Sequence, residues 1–212
     1  MSIYCNYCVP HLINLACGMK SIQEQRKKVV PLAHGRVLEV GIGPGFNLSY
    51  YDIHRVEFLW GLEPAQSMRK LARKNIEKSS VELKWIEATA EQIPLEDSSV
   101  DSVVSTYTLC TVTDLQSALS QIRRVLKPNG QLLFCEHGAS PDSAVRVWQE
   151  RLNPFWKTIA GGCHLNRDIA GCIENSGFEL EIMGAEYLQG APKFGGFNTW
   201  GVAHNVLGKS SA

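Results

Sequence analysis

Two carboxylates and three glycines are the residues of this chain best placed to do chemistry. In Val37-Leu38-Glu39-Val40-Gly41-Ile42-Gly43-Pro44-Gly45-Phe46-Asn47, an apolar run carrying one acid ends in glycines at alternate positions. The run reads as a buried parallel strand. The glycines let the chain turn sharply and let backbone amides approach a ligand with no Cβ between them. A helical pattern follows, and its free N–H groups and positive dipole end favour a carboxylate or phosphate. Glu63, in Leu59-Trp60-Gly61-Leu62-Glu63-Pro64, stands where a second strand should end. A carboxylate there can accept hydrogen bonds from both hydroxyls of a ribose. Loop and acid together imply a nucleotide-type cofactor.

The spacing narrows the cofactor. Dinucleotide sites use G-x-G-x-x-G, whereas this loop is E-x-G-x-G-x-G. Glu39, Gly41, Gly43 and Gly45 in that spacing resemble motif I of the class I S-adenosylmethionine-dependent methyltransferases. A negative Glu39 suits a cofactor with an ammonium and a sulfonium and makes a poor neighbour for a pyrophosphate. Further segments match the same superfamily. Ala88-Thr89-Ala90-Glu91 stands where its members carry an adenine loop, with Thr89 in place of the usual Asp. The resemblance therefore assigns adenine recognition to Thr89, Ala90 and Glu91. It also sets Pro64 and Met68 after Glu63, and Thr106 and Thr108 after the fourth strand, against S-adenosyl-L-methionine.

A narrower likeness lies in Thr106-Tyr107-Thr108-Leu109-Cys110, in Phe134-Cys135-Glu136-His137 and in residues 148–167. These resemble the alkyl thiol methyltransferases of the methyltransferase-like family. Mammalian members carry an N-terminal membrane anchor that is not recognisable here, and Cys163-His164 replaces their Cys-Asn. The resemblance implies methyl transfer to a small thiol. A sulfonium methyl is already a strong electrophile, so orientation supplies much of the rate. The thiol must still lose its proton, because the thiolate attacks. His137 and His164 are the candidate bases, each with an ordinary hydrogen-bonded role as the competing reading. Cys110, Trp156 and Cys163 are candidate walls of the acceptor pocket, with small buried hydrophobes as the competing reading of the cysteines and core packing as that of the tryptophan. Quinol, phenol and lipid-amine methylation share these motifs and stand as alternatives, and a cofactor-binding regulator without turnover is the non-enzymatic one.

These residues need an α/β scaffold. Strands are expected near 36–41, 56–62, 82–87, 100–105, 131–136, 178–184 and 197–205. Helices are expected over 9–19, 65–78, 114–127 and 166–176, with a Trp-rich helical stretch between the last two. Ser21 and Glu24 read as a capping box opening a basic helix that ends near Pro31. Pro128-Asn129-Gly130 should separate the helix of 114–127 from the fifth strand. Alternating strands and helices predict a doubly wound, Rossmann-like sheet, mostly parallel, of seven strands with a C-terminal antiparallel hairpin. Residues 1–34 are expected to form a helical lid segment beside a methyltransferase domain of 35–212, with Tyr4, Tyr7 and His11 either in a lid over the cofactor or covering the sheet.

Composition sets the outer limits. The 212 residues balance 21 basic against 21 acidic side chains, so no net field draws nucleic acid or anionic membrane. Seven cysteines without disulfide-like spacing and no signal peptide point to a reducing cytoplasm. No apolar run is long enough to span a membrane. Cys5-x-x-Cys8 has no second pair in metal spacing, so no metal is expected. The oligomeric state has no signature.

Overall fold

The computed structural model describes residues 9–206, built around one seven-stranded sheet. The strands are β1 (Gly35–Val40), β2 (Val56–Leu62), β3 (Leu83–Ile86), β4 (Val100–Thr106), β5 (Leu126–His137), β6 (Glu179–Tyr187) and β7 (Phe197–His204). The helices are α1 (Val9–Cys17), α2 (Lys20–Arg26), α3 (Gln66–Ile76), α4 (Leu115–Val125), α5 (Ser143–Ile159), α6 (Ile169–Asn175) and the single turn α7 (Lys193–Gly196). The spatial order is β3-β2-β1-β4-β5-β7-β6, with only β7 antiparallel to its neighbours. This is the doubly wound fold with a terminal antiparallel pair that the alternation of patterns predicts.

The central strands are apolar on both faces because both faces are covered. Leu38, Val103 and Phe134 belong to one core, while Val37, Val104 and Leu133 belong to the other. Neighbouring residues of a strand thus point to opposite layers, as the pleat requires. α4 closes the first core with Leu115, Ala118, Leu119, Ile122 and Val125, a helical stripe. Asp114 caps that helix by accepting from Ser117 N at 3.0 Å. The strand order reverses between β1 and β4, so their carboxyl ends open a crevice at that point.

Three local expectations change. Met19, not Ser21, holds the N-cap of α2, and it has no side-chain cap. Starting at Lys20 puts Ser21 inside the first turn, and Glu24 pairs with Lys27 at 2.7 Å instead. The helix stops at Arg26, and Pro31 lies in a separate 3-10 turn, Val30–Leu32. β5 starts directly after α4, with Pro128-Asn129-Gly130 absorbed as an irregularity between the pairs Val100–Leu126 and Ser102–Gln131. Asn129, at φ +64°, turns the chain there and donates its N–H to Asn205 O at 3.0 Å. Tyr4, Cys5, Tyr7 and Cys8 lie outside the described residues. No helix among the described residues is long and apolar enough to cross a membrane.

Candidate active site

A cavity of about 560 Å³ opens at the carboxyl ends of β1, β2 and β4. Its floor is the glycine loop. Gly41 and Ile42 both donate their N–H to Leu62 O, at 2.9 and 3.2 Å, which fastens the loop to β2. Gly41, Gly43 and Gly45 have φ of +66°, +53° and +76°, a region that L side chains rarely enter. Gly41 and Gly43 line the cavity. Gly45 does not; it turns the chain into the 3-10 turn Phe46–Ser49 and packs on Leu48 and Ala72.

Glu63 faces the same space from the end of β2. Its Oε2 accepts from Gly43 N at 3.2 Å and its Oε1 from Ala65 N at 2.9 Å. Burial pushes its carboxyl up, and those two N–H groups with Arg69 pull back. Pro64 and Met68 continue this wall. Thr89, Ala90 and Glu91 form another side. Glu91 Oε1 accepts from Thr113 N and Asp114 N, both at 3.2 Å, so the start of α4 fixes it. Those N–H groups outweigh its burial and hold the carboxyl below its ordinary range.

Glu39 lies off the cavity, in a buried network under the loop. Asn47 Nδ2 donates to Glu39 Oε1 at 2.9 Å and to Thr106 Oγ1 at 3.0 Å, and Tyr51 OH donates to Glu39 Oε2 at 2.7 Å. Burial raises the Glu39 carboxyl to about 7, against the pull of these donors and of Arg26. Arg26 donates from Nη1 to Asn47 Oδ1 at 2.9 Å and also meets Thr106 Oγ1. Its guanidinium sits 5.3 Å from the Tyr107 ring centre and 5.7 Å from that of Phe46. Although 5% exposed, Arg26 lines the cavity, and its Nε has no hydrogen-bond partner among the described residues.

The turn after β4 is built on Glu136. Its carboxylate accepts from Ser105 Oγ and Thr108 N at 2.9 Å, Leu109 N at 3.1 Å and Cys110 N at 3.4 Å. This turn puts Thr106, Tyr107 and Thr108 on the cavity, and Thr108 Oγ1 donates to Gly41 O at 3.3 Å. Sequence reasoning missed Arg26 and Glu136. A single acid directly after the apolar Leu132–Cys135 run was a signal for Glu136, whereas nothing separates Arg26 from Lys27 and Lys28.

The remaining candidates stand back from the cavity. His137 Nε2 lies 2.8 Å from Cys163 Sγ, whose sulfur is 3.9 Å from Cys110 Sγ. Burial lowers the His137 imidazole, but Cys163 and Glu136 prevail and hold it above its ordinary value. Its bond with Cys110, then burial, pushes the Cys163 thiol up. His164 Nδ1 lies 3.0 Å from Cys110 O; burial and Arg167 hold this imidazole down. Trp156 packs edge-on to Phe194 with a ring separation of 6.1 Å. The segment 161–167 does reach the cavity, through Gly161 and Gly162, beside Lys157 and Thr158 of α5.

Comparison with known proteins agrees with this geometry. A family model described as a methyltransferase domain matches residues 38–134. A thiol S-methyltransferase of Rattus norvegicus is 36% identical over 146 residues, covering 67% of this chain and 59% of the relative. One from Homo sapiens is 37% identical over 153 residues, covering 69% and 62%. The chain thus spans about three-fifths of the length of these curated relatives. A solved S-adenosylmethionine-dependent methyltransferase of Thermotoga maritima superposes with a TM-score of 0.67 at 20% identity, over 96% of this chain and 98% of the other. A glycine-floored cavity with a buried carboxylate and an orphaned guanidinium Nε suits a cofactor that carries a ribose, a sulfonium and a carboxylate. Residues 38–134 thus form a methyltransferase domain, the fold is that of the class I methyltransferases, and S-adenosyl-L-methionine is the cofactor that this domain implies.

Proposed function

We propose that this chain transfers a methyl group from S-adenosyl-L-methionine to a small-molecule acceptor, a thiol by preference. The observation that carries the reading is one cavity joining the glycine loop and Glu63 to a mouth at Thr111, Val112, Gly161 and Gly162. The likeness to thiol S-methyltransferases supports the choice of thiol. When bound, the cofactor supplies a methyl on a positively charged sulfur, which needs little activation.

The chain's own residues then do the holding. Glu63 accepts from the ribose hydroxyls, with Pro64 and Met68 beside it. Thr89, Ala90 and Glu91 border the adenine. Gly41 and Gly43 let the backbone approach the methionine part, near Thr106 and Thr108, and Arg26 offers its free Nε to the carboxylate. Glu39 and Gly45 act from behind, setting the loop. Cys17 and Arg26 reach the cavity from the first 34 residues, which supports reading 1–34 as a lid over a catalytic domain of 35–212.

Of the two histidines, His164 is the better-placed base. His137 is committed to Cys163, whereas His164 follows the cavity-lining Gly161–Gly162 pair. With Nδ1–H donating to Cys110 O, its Nε2 lone pair accepts from Arg167 Nη2 at 3.4 Å, a long contact that must open before the imidazole takes a proton. Cys110, Cys163 and Trp156 back this mouth rather than face the acceptor. The five cysteines among the described residues are free, which suits a reducing compartment such as the cytoplasm, and balanced charge argues against nucleic acid as substrate.

Incubation of the purified chain with methyl-labelled cofactor and a panel of thiols, quinols and amines tests the function. Labelled thioether is the expected product. Transfer to quinols alone would remove the thiol assignment, and binding without transfer to any acceptor would leave a non-catalytic cofactor protein. His164→Ala should lower the rate by roughly 10²–10⁴ with cofactor affinity kept. Full activity in that variant would leave orientation as the main catalytic device.

A further inference from the structure

Three donor atoms from three separate segments converge outside the cavity lining. Cys110 follows β4, His137 ends β5 and Cys163 follows α5. Cys163 Sγ lies 2.8 Å from His137 Nε2 and 3.9 Å from Cys110 Sγ, and all three donors fall within 4.8 Å of one another. We propose that Cys110, His137 and Cys163 form a binding site for one thiophilic divalent cation of the zinc class.

Donor chemistry and distance both support it. Two thiolates and an imidazole match the ligand preferences of zinc. Two sulfurs at 2.3 Å from a tetrahedral ion stand about 3.8 Å apart, close to the observed 3.9 Å. The nitrogen–sulfur pair now shares a hydrogen bond, and an ion in its place would open it to about 3.6 Å. Binding releases both thiol protons to solvent and leaves the imidazole neutral. Three protein ligands leave a fourth position for water.

The site is also prepared by its surroundings. Cys110 is 2% exposed, and its N–H is held by Glu136. Its carbonyl accepts from His164 N at 2.9 Å, so the residue after Cys163 is fastened to Cys110. A disulfide would use two of these donors and leave His137 unexplained; a metal uses all three. The neighbours Thr111 and Gly162 line the cavity, so the ion would clasp two walls of its mouth. Nothing in this depends on which acceptor the enzyme methylates.

The reduced 212-residue chain, loaded with Zn²⁺ and desalted, should retain one ion per chain by elemental analysis. Co²⁺ in its place should give the intense thiolate-to-metal absorption of a tetrahedral site. Cys110→Ser and Cys163→Ser should each weaken retention beyond the roughly 10–100-fold expected for outer hydrogen-bond partners of a ligand. Cys172→Ser should leave it unchanged. Should the serine variants fail to fold, the wild-type chain still decides: Zn²⁺ should protect Cys110 and Cys163, but not Cys172, from iodoacetamide, as mapped by mass spectrometry. Reduced protein that retains no zinc would overturn the site. So would retention that follows Cys5 and Cys8 instead, or alkylation of Cys110 and Cys163 at the same rate with and without Zn²⁺.

Discussion

Gly43 and Glu63 are joined across the cofactor crevice by one hydrogen bond, Gly43 N–H to Glu63 Oε2 at 3.2 Å. The acid at the end of β2 therefore anchors the loop that follows β1, besides facing the ligand. Glu63→Ala loses a charged acceptor, roughly 1.5–3 kcal/mol, which is roughly 10- to 150-fold in S-adenosylmethionine affinity. Glu63→Gln keeps an acceptor for one N–H only and should fall between. Calorimetry on folded variants measures both. Unchanged affinity in Glu63→Ala would remove the carboxylate from the cofactor site.

Gly41 is restricted twice over. Its φ of +66° costs an L residue roughly 1–2 kcal/mol, and a Cβ there would run into the Thr108 side chain. Gly43 has a similar φ, but the nearest atom to its Cβ position is Met68 Cε at 3.5 Å. Gly41→Ala should therefore destabilise the fold more than Gly43→Ala. Adding Thr108→Gly to Gly41→Ala should recover the steric part and leave the backbone part. Urea unfolding of the single and double variants checks this, and strictly additive effects would count against the clash.

These contrasts show where the sequence was legible. The glycine loop and Glu63 could be read because each depends on local spacing beside a strand whose apolar pattern is unambiguous. The capping box failed for the same reason of locality: the letters were right, but α2 starts two residues too early for Ser21 to cap it. Arg26 and Lys28 read alike on paper, yet Arg26 is buried beneath two rings while Lys28 pairs with Glu186 at 2.7 Å. Cys110, His137 and Cys163 are far apart in sequence, and the sheet order brings them together. Expecting metal only from closely spaced Cys and His pairs could not find them.

Arg26 should matter to both stability and cofactor binding. Arg26→Met keeps the apolar stem but removes the donors to Asn47 and Thr106, at about 1.5–3 kcal/mol for hydrogen bonds from a charged group. Arg26→Lys has a single point charge and cannot bridge both acceptors, so it should rescue stability only in part. In both, S-adenosylmethionine should bind at least roughly 10-fold more weakly. A folded Arg26→Met variant with wild-type affinity would make Arg26 a support for the loop alone.

Glu39 makes the stability of the cofactor-free protein depend on pH in an unusual direction. Burial raises its folded carboxyl from an ordinary 4.5 to about 7. Between those values the folded chain holds a proton that the unfolded chain has released. Unfolding thus gives up a proton, and stability falls as pH rises from about 4.5 to 7, by an amount on the order of 3 kcal/mol. Glu39→Gln has no such proton. Measured by urea unfolding, the variant should gain on the wild type from pH 5 to pH 7 and hold that gain at pH 8. Arg26 lowers the Glu39 carboxyl. In the Arg26→Met background the advantage of Glu39→Gln should therefore extend to higher pH. A constant difference between wild type and Glu39→Gln across this range would mean that Glu39 is ionised throughout, held by Arg26 and the donors of Asn47 and Tyr51.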